Sequence, residues 1–344
     1  MEELLLLKKY YDNNEINTAF LLSKILKDKL NNNSEYINLT FQIKSKLDNN
    51  IFYQKYIRVL LACNWCSSKE LCDIWNKMSK GNCIWNNIQI VSQEPCDYYC
   101  IINQPPNNLK IVIENTIVFI MEPYMNKNYH LWNDKWMNID KNKFKWYGSH
   151  DKYYNNNEWH LSKTYNELKD QEIVKDYHLS NILSTVLSDK YKDPGHIKRV
   201  DFIKFLQLKN DIKVDVFGGN SFTWNNYKGS LPYHKKDNAL FPYKYTFNVE
   251  NFQIHNYYSE KLIDGILSEC LVFYHGCPNI KDLIDEKAFV WLELSNFEED
   301  YKLIKKAIEE DWWKQRLSYI KQAKTIILDE FQFFPRLEKI IKEK

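Results

Sequence analysis

The sequence has little excess charge of either sign. Its 344 residues contain 47 lysines and arginines against 45 aspartates and glutamates, which leaves a formal net charge of +2. Proteins that bind nucleic acid or an anionic membrane surface usually carry a basic face. The composition has no such signature, and we expect no nucleic acid among the partners of this protein.

Long apolar runs are also missing. The N-terminal run MEELLLLKK is shorter than the apolar region of a signal peptide, and no other stretch approaches the roughly 20 apolar residues of a membrane-spanning helix. Hydrophobic residues still make up 44% of the chain and charged residues 27%, which is typical of a folded protein in water. We expect a cytoplasmic protein without a membrane span.

The eight cysteines lack the spacing of a disulfide framework or of a standard zinc site. Cys63 and Cys66 form the motif CNWC, and the next close pair is Cys96 and Cys100. The spacing within and between these two pairs fits no standard zinc site. A chain of this length also needs no disulfides to fold. We expect free thiols in a reducing compartment, with a zinc or redox role of CNWC as the alternative.

The hydrophobic pattern predicts two α/β domains flanked by helices. Residues 1–55 contain two segments with apolar residues at three- and four-residue spacing, INTAFLLSKILKDKL and SEYINLTFQIKSKL, which predict two amphipathic helices. Short apolar runs then alternate with helical stretches, which indicates parallel sheets. We assign residues 56–165 to a first Rossmann-like domain, 166–315 to a second, and 316–344 to C-terminal helices, and we predict irregular chain over residues 158–171 at the first boundary. The N-terminal helices are predicted to be a packing extension, with oligomerisation or partner binding as the alternatives.

One segment concentrates polar groups where a helix is predicted to begin. It is NVENFQIHNYYSEKLIDG, residues 248–265. Ser259 is suited to cap the helix, whose first-turn N–H groups would attract phosphate, and Lys261 would add positive charge. Glu260 could accept bonds from ribose hydroxyls, and Tyr257 or Tyr258 could stack or donate a hydroxyl. An ordinary capped surface helix explains the same residues.

The longer stretch YKYTFNVENFQIHNYYSEKL resembles the donor-binding signature of family 10 glycosyltransferases, the α-1,3/4-fucosyltransferases. That signature contains Tyr-Lys-Phe, then Glu-Asn, then Tyr-x-Thr-Glu-Lys. The matching residues are Tyr243, Lys244, Tyr245, Glu250, Asn251, Tyr257, Ser259, Glu260 and Lys261. Phe252 replaces a small hydroxyl residue of the family and His275 a tryptophan, and both differences bear on sugar specificity.

Weaker similarity to the same family extends upstream. The segment LSDKYKDPGHIKRVDFIKFL is similar to one whose arginine reaches the donor pyrophosphate, and Arg199 is the match. ACNWCSS resembles the first strand and loop, which makes Asn64 and Trp65 acceptor-side candidates. VFIMEPY resembles the segment of the catalytic carboxylate, which here is Glu122. A solvated loop carboxylate is the alternative for Glu122.

The resemblance implies a GT-B fold, in which two facing Rossmann-like domains enclose a cleft. It also implies an inverting transferase that moves fucose from GDP-fucose to a hydroxyl of an acceptor glycan or glycosylated protein. Glu122 would be the base, and the donor would be bound by Lys244, Arg199, Glu250, Asn251, Tyr257, Ser259, Glu260 and Lys261. Protein cations would hold the diphosphate, since no Asp-x-Asp pair ends a strand, and we expect no obligatory metal or other cofactor.

Two further alternatives remain at this point. One keeps the fold with another nucleotide sugar, and the other is a non-catalytic carbohydrate- or nucleotide-binding protein. Histidines could also contact an acceptor sugar, although structural or exposed roles explain them equally. These histidines are His130, His150, His160 and His178.

Overall fold

A computed structural model describes residues 2–47, 56–123, 136, 139–150, 152–154, 158–209 and 211–343. His130 and part of the predicted N-terminal extension lie outside these ranges. The described chain forms two compact units. The first comprises the described parts of residues 1–122, 126–148 and 340–344, and the second those of 123–125 and 149–339.

The first unit contains a six-stranded sheet in the order β2-β3-β1-β4-β5-β6. Neighbouring strands are parallel, except for the antiparallel pair β2 and β3. The strands are β1 (Ile57–Ala62), β2 (Ile84–Trp85), β3 (Ile88–Val91), β4 (Tyr98–Ile102), β5 (Thr116–Phe119) and β6 (Trp146–Gly148). The central strand β1 is buried on both faces, as the apolar run VLLA that follows Arg58 predicts.

Three helices form the N-terminal segment, and a fourth follows β1. They are α1 (Glu2–Asp12), α2 (Ile16–Leu30), α3 (Ser34–Leu47) and α4 (Ser68–Trp75). The sequence predicted only two helices in the N-terminal segment. The start of α4 is stabilised by a reciprocal capping box between Ser67 and Glu70.

The N-terminal helices are part of the core of the first unit. Leu7 and Leu21 lie in one buried cluster with Leu60 of β1. On α2, the buried side chain of Asn17 donates to the hydroxyl of Tyr99 at 3.0 Å and accepts from the Cys96 N–H at 2.6 Å. These hydrogen bonds connect α2 to the start of β4, so the helical segment packs as an integral layer of this unit.

The second unit contains a six-stranded, all-parallel sheet in the order β12-β11-β10-β7-β8-β9. Its strands are β7 (Leu183–Leu187), β8 (Val214–Gly218), β9 (Tyr227–Gly229), β10 (Tyr245–Val249), β11 (Leu271–His275) and β12 (Phe289–Trp291). The predicted α/β class with two parallel sheets is confirmed. The short outer strands β6 and β9 were not predicted, because three residues carry too little periodic signal.

Helices of the second unit lie before, between and after its strands. They are α5 (Tyr165–Asp170), α6 (Pro194–Lys209), α7 (Asp237–Leu240), α8 (Glu260–Leu267), α9 (Phe297–Glu309), α10 (Trp312–Ile326) and α11 (Phe333–Lys342). The helical tail was predicted. The interpretation of residues 158–171 as irregular was wrong for α5, whose start is stabilised by a capping box between Thr164 and Glu167.

Residues 149–165, assigned above to the first domain, lie with the second unit. The backbone N–H of His160 donates to Asp264 at 2.7 Å, and that of Ser162 donates to Asp237 at 3.0 Å. Local sequence could not show these contacts because their partners are far along the chain.

No helix within the described ranges combines the length and the apolar character needed to cross a bilayer. All eight cysteines are free thiols, as expected, and the Sγ atoms of Cys63 and Cys66 lie 3.4 Å apart. The compartment itself stays a prediction.

Candidate functional site

A cavity lies at the carboxyl edge of the second sheet. Strands β8 and β9 lie on one side of β7 and β10 on the other, so the strand order reverses between β7 and β10. Open parallel sheets bind ligands at such a reversal. Cationic or imidazole side chains in the lining are Lys190, His196, Arg199, Lys236 and Lys261. The other polar lining residues are Ser188, Asn248, Asn251, Glu260 and Asp264.

The buried carboxylate of Glu250 holds the start of α8 against the end of β10. Glu250 is 1% exposed, and its Oε1 accepts from the backbone N–H of Ser259 at 2.8 Å. The Ser259 hydroxyl donates to Oε2 at 2.6 Å, and the Tyr274 hydroxyl donates to Oε1 at 3.3 Å. Because an unsatisfied buried carboxylate is very costly, these bonds determine where the loop returns to the sheet.

Ser259 completes the helix start that the sequence predicted. Its side chain accepts from the backbone N–H of Lys261 at 3.4 Å, which confirms the predicted cap. The Lys261 ammonium donates to the Ser259 hydroxyl at 3.0 Å and lies 3.8 Å from Glu250. Burial raises the pKa of Glu250, and the charge of Lys261 opposes that rise.

Helix α6 meets the same strand end through Asn251 and Gly195. The Asn251 carbonyl accepts from the Gly195 N–H at 3.0 Å. A Cβ atom at position 195 would lie 1.7 Å from the Glu250 carbonyl oxygen, so the close approach requires glycine. One turn further along α6, Arg199 donates from Nη2 to Oδ1 of Asn251 at 2.5 Å. Asn251 therefore anchors both the helix start and the guanidinium.

Arg199 is a buried cation at the cavity wall. It is 5% exposed, and among the described residues it forms no ion pair with a carboxylate. Burial lowers the pKa of its guanidinium, although Glu250 and Glu260 oppose this effect from a distance. Within the described ranges the bonded partner of this buried guanidinium is an amide, so the site favours an anionic ligand, which would supply the missing charge.

Two lysines and two carboxylates form a network on the α8 side of the cavity. Lys236 donates to Asp264 at 2.8 Å and to Glu260 at 3.4 Å, and Lys261 donates to Glu260 at 3.3 Å. Burial alone would raise the pKa of Glu260, but the charges of Lys261 and Lys236 hold it well below its usual range. Glu260 is therefore an ionised acceptor between two cations.

The structure brings together most of the residues predicted to bind the donor. Arg199, Asn251, Glu260 and Lys261 line the cavity. Glu250 and Ser259 lie beneath them as supports, and Tyr257 is buried with its ring 5.2 Å from that of His150. The geometry of Glu250 does not favour direct contact with a ligand, since both of its carboxylate oxygens accept hydrogen bonds from Ser259.

Lys244 is not part of this group. It precedes β10, at the amino edge of the sheet, where it pairs with Asp311 at 3.1 Å and lies over the ring of Trp313. The carboxyl edge, where Asn251 lies, is at the other end of the strand. Lys244 therefore packs the C-terminal helices against the sheet instead of lining the cavity.

The two residues that depart from the family signature are also buried. His275 bonds the Leu292 carbonyl through Nδ1 at 2.9 Å, and its Nε2 accepts from Lys198 at 3.2 Å. Burial lowers the pKa of His275. Phe252 is 8% exposed. Neither His275 nor Phe252 is among the residues that line the cavity.

The predicted base and the two acceptor-side candidates after β1 lie in the first unit. Glu122 follows β5 at the carboxyl edge of that sheet, and its N–H donates to the Asn103 side chain at 3.2 Å. Asn64 and Trp65 follow β1 in an exposed turn, with Trp65 52% exposed. All three thus lie at strand ends of the kind that bind ligands in parallel sheets.

Sequence reasoning missed Lys190, His196 and Lys236. His196 lies three residues before Arg199 and shares its helix face, a spacing that could have identified it. Lys236 comes from an irregular loop before α7, and Lys190 from the loop after β7. Nothing periodic marks either lysine, so only the tertiary structure places them at the cavity.

We predict that His196 makes the stability of the protein depend on pH. Burial, and then the charge of Arg199, lowers the pKa of His196 to about 4 from an ordinary value of 6.5. A lowered folded-state pKa means that stability is complete above pH 6.5 and is lost as the pH falls through 4. Relative to His196→Gln, the wild type should lose up to about 3 kcal/mol of unfolding free energy over this interval, measured by urea denaturation.

His178→Gln, at an exposed position, is the matched control and should follow the wild type. Equal pH dependence in the wild type and His196→Gln would contradict the assignment.

No protein-family model and no curated protein matches the chain. Among solved structures, an α-glucosyltransferase in complex with UDP and a 13-mer DNA containing a central A:G mismatch matches with a TM-score of 0.53 and 9% identity, over 83% of this chain and 100% of its own. The same type of enzyme with UDP and a 13-mer DNA containing an HMU base gives a TM-score of 0.51 and 8% identity, with the same coverage.

An α1,3-fucosyltransferase with GDP-fucose matches with a TM-score of 0.42 and 16% identity, over 84% of this chain and 91% of that one. The two comparisons with TM-scores above 0.5 show that this chain has the α/β fold of GT-B glycosyltransferases. Membership of family 10 stays a prediction.

Proposed function

We propose that the protein is an inverting glycosyltransferase that moves a sugar, in the first place fucose from GDP-fucose, to a hydroxyl of an acceptor glycan or glycosylated protein. The observation that carries the proposal is that the buried Arg199 and Lys261 line one cavity at the strand-order reversal of the second sheet. A sugar nucleotide presents a diphosphate, which is the anion that such a site suits.

Arg199 and Lys261 have complementary tasks in this proposal. A guanidinium can bond two phosphate oxygens at once, and Asn251 holds that of Arg199 in place. The ammonium of Lys261 is a point charge at the start of α8. Both cations stabilise the diphosphate as it gains negative charge on leaving, which lowers the barrier to transfer. No obligatory metal is proposed, because these side chains supply the charge.

Glu260 is suited to the sugar or ribose hydroxyls of the donor. Its carboxylate is held ionised between Lys261 and Lys236, so it accepts hydrogen bonds strongly. Asp264 accepts a hydrogen bond from Lys236, and its negative charge helps to keep the buried Lys236 protonated. The two lysines therefore hold the carboxylate oxygens of Glu260 and Asp264 in place at the cavity wall.

Glu122 is proposed as the base. Its carboxylate takes the proton of the acceptor hydroxyl while the acceptor oxygen bonds the anomeric carbon. The bond from that carbon to the diphosphate breaks, and its electron pair leaves with the diphosphate. One displacement inverts the anomeric centre. Asn64 and Trp65, exposed after β1, are proposed to contact the acceptor.

Nucleotide binding by the cavity is tested with cation variants. Lys261→Gln and Arg199→Gln should each bind GDP at least about tenfold more weakly than the wild type by calorimetry, because each loses a charged hydrogen-bond donor to the diphosphate. Lys244→Gln removes a lysine at the amino edge of the sheet, just before β10, and should bind GDP within about twofold of the wild type. Equal affinity in all four proteins would refute the cavity as the donor site.

The same titration is repeated with UDP, dTDP and GDP-fucose. Binding of GDP and GDP-fucose in preference to the others is expected from the family resemblance. Selective binding of UDP or dTDP would contradict the donor assignment while leaving the cavity assignment intact.

Turnover separates an enzyme from a binding protein. Glu122→Gln should lower the rate of sugar transfer by about 10²- to 10⁴-fold and leave GDP affinity unchanged, because a base acts in the chemical step and is absent from the donor site. Glu114→Gln, a carboxylate that precedes β5 in the same unit, is the control and should retain the rate. Unchanged turnover in Glu122→Gln would exclude it as the base, and no transfer by the wild type would favour the binding protein.

A further inference from the structure

Three potential metal ligands converge in the second unit, outside the lining of the cavity. Glu158, His160 and His234 each offer one ligand atom, and these atoms all lie within 4.8 Å of one another. Glu158 and His160 come from the segment before α5, and His234 from the loop before α7. His160 and His234 are 74 positions apart in the sequence, so the tertiary structure, and no local sequence pattern, brings them together.

The spacing of the first two ligands suits one small ion. Glu158 Oε1 and His160 Nε2 lie 3.4 Å apart. Two ligands at about 2.0–2.1 Å from a tetrahedral zinc ion are themselves separated by about 3.3 Å. The side chains are 23% and 19% exposed, so an ion from solvent can reach them although they are largely shielded. An ion pair between a protonated His160 and Glu158 is the competing explanation.

The third ligand is held in a suitable tautomer. His234 Nδ1 lies 3.4 Å from the Trp159 carbonyl oxygen, which can only accept, so Nδ1 is the donor and the lone pair of a neutral ring lies on Nε2. Metal-bound histidines typically donate their second ring nitrogen to a carbonyl or carboxylate in this way. The ring of His234 packs against that of His160 with centroids 4.2 Å apart.

Backbone hydrogen bonds already hold the two segments together. The N–H of Lys236 donates to the His160 carbonyl at 3.0 Å, and the N–H of His160 donates to Asp264. The ligands are therefore presented by connected backbone, and little conformational entropy remains to be lost when an ion binds.

We propose that Glu158, His160 and His234 form a site for one zinc-like divalent transition-metal ion. Two imidazoles and one carboxylate form a donor set that zinc accepts, and a water molecule would complete four-coordination. The ion would cross-link the segment of residues 158–160 to the loop that carries Lys236. It is distinct from the cations that are proposed to hold the diphosphate, and the inference does not depend on the proposed function.

Zinc binding by the full chain tests the proposal. After removal of metal with a chelator under reducing conditions, the protein is titrated with ZnCl₂ and bound zinc is counted by mass spectrometry. The wild type should bind one more equivalent than His234→Gln and Glu158→Gln, or bind that equivalent at least about tenfold more tightly. His178→Gln, which removes an exposed histidine, should behave as the wild type.

Cobalt(II) separates this site from the thiols of Cys63 and Cys66, which lie close enough to bind metal. Cobalt at Glu158, His160 and His234 should give visible absorption without a thiolate-to-cobalt band, and His234→Gln should remove it. Equal zinc stoichiometry and affinity in the wild type and His234→Gln would overturn the proposal. If Glu158→Gln fails to fold, the His234→Gln comparison decides alone.

Discussion

The bond pair between Glu250 and Ser259 is the constraint on which the candidate site depends. A carboxylate that is 1% exposed takes the backbone N–H and the hydroxyl of the same serine, and this determines where α8 begins. The carbonyl of Glu250 lies so close to Gly195 that α6 can pack there only without a side chain at that position. One strand end thus determines the positions of two helices.

The charged groups follow from that arrangement. The position of α6 brings Arg199 to Asn251, and the position of α8 brings Lys261 and Glu260 to the cavity. Burial in this region leaves the guanidinium with an amide as its bonded partner and the carboxylate of Glu260 between two lysines. The proposed ligand, an anion that also carries hydroxyl groups, would find these side chains already in position.

Much of this architecture was predictable from sequence. The cap at Ser259 and the helix that begins there have strong local patterns, and the structure has both at the expected position. Lys244 shows where a signature alone is insufficient. A strand rises about 3.3 Å per residue, so a residue seven positions before Asn251 lies about 20 Å away, at the other edge of the sheet.

Other features were not predictable because they depend on contacts between distant segments. The apolar face of α2 predicts burial, but the sequence does not show that Asn17 bonds residues near β4. Lys236 enters the cavity from a loop without periodicity, and His160 and His234 meet although 74 positions separate them, counted from their numbers. Sequence shows where the lysines, histidines and carboxylates lie along the chain, but tertiary packing determines which of them come together.

The central claim is that the strand end at Glu250 and Asn251 and the two helices it positions form the nucleotide site. Amide hydrogen exchange of the full chain with and without saturating GDP tests this most directly. The account predicts slower exchange in peptides that cover residues 194–199 and 250–261, with little change at the amino edge of the same sheet. GDP binding that leaves both segments unprotected and slows exchange elsewhere would contradict it.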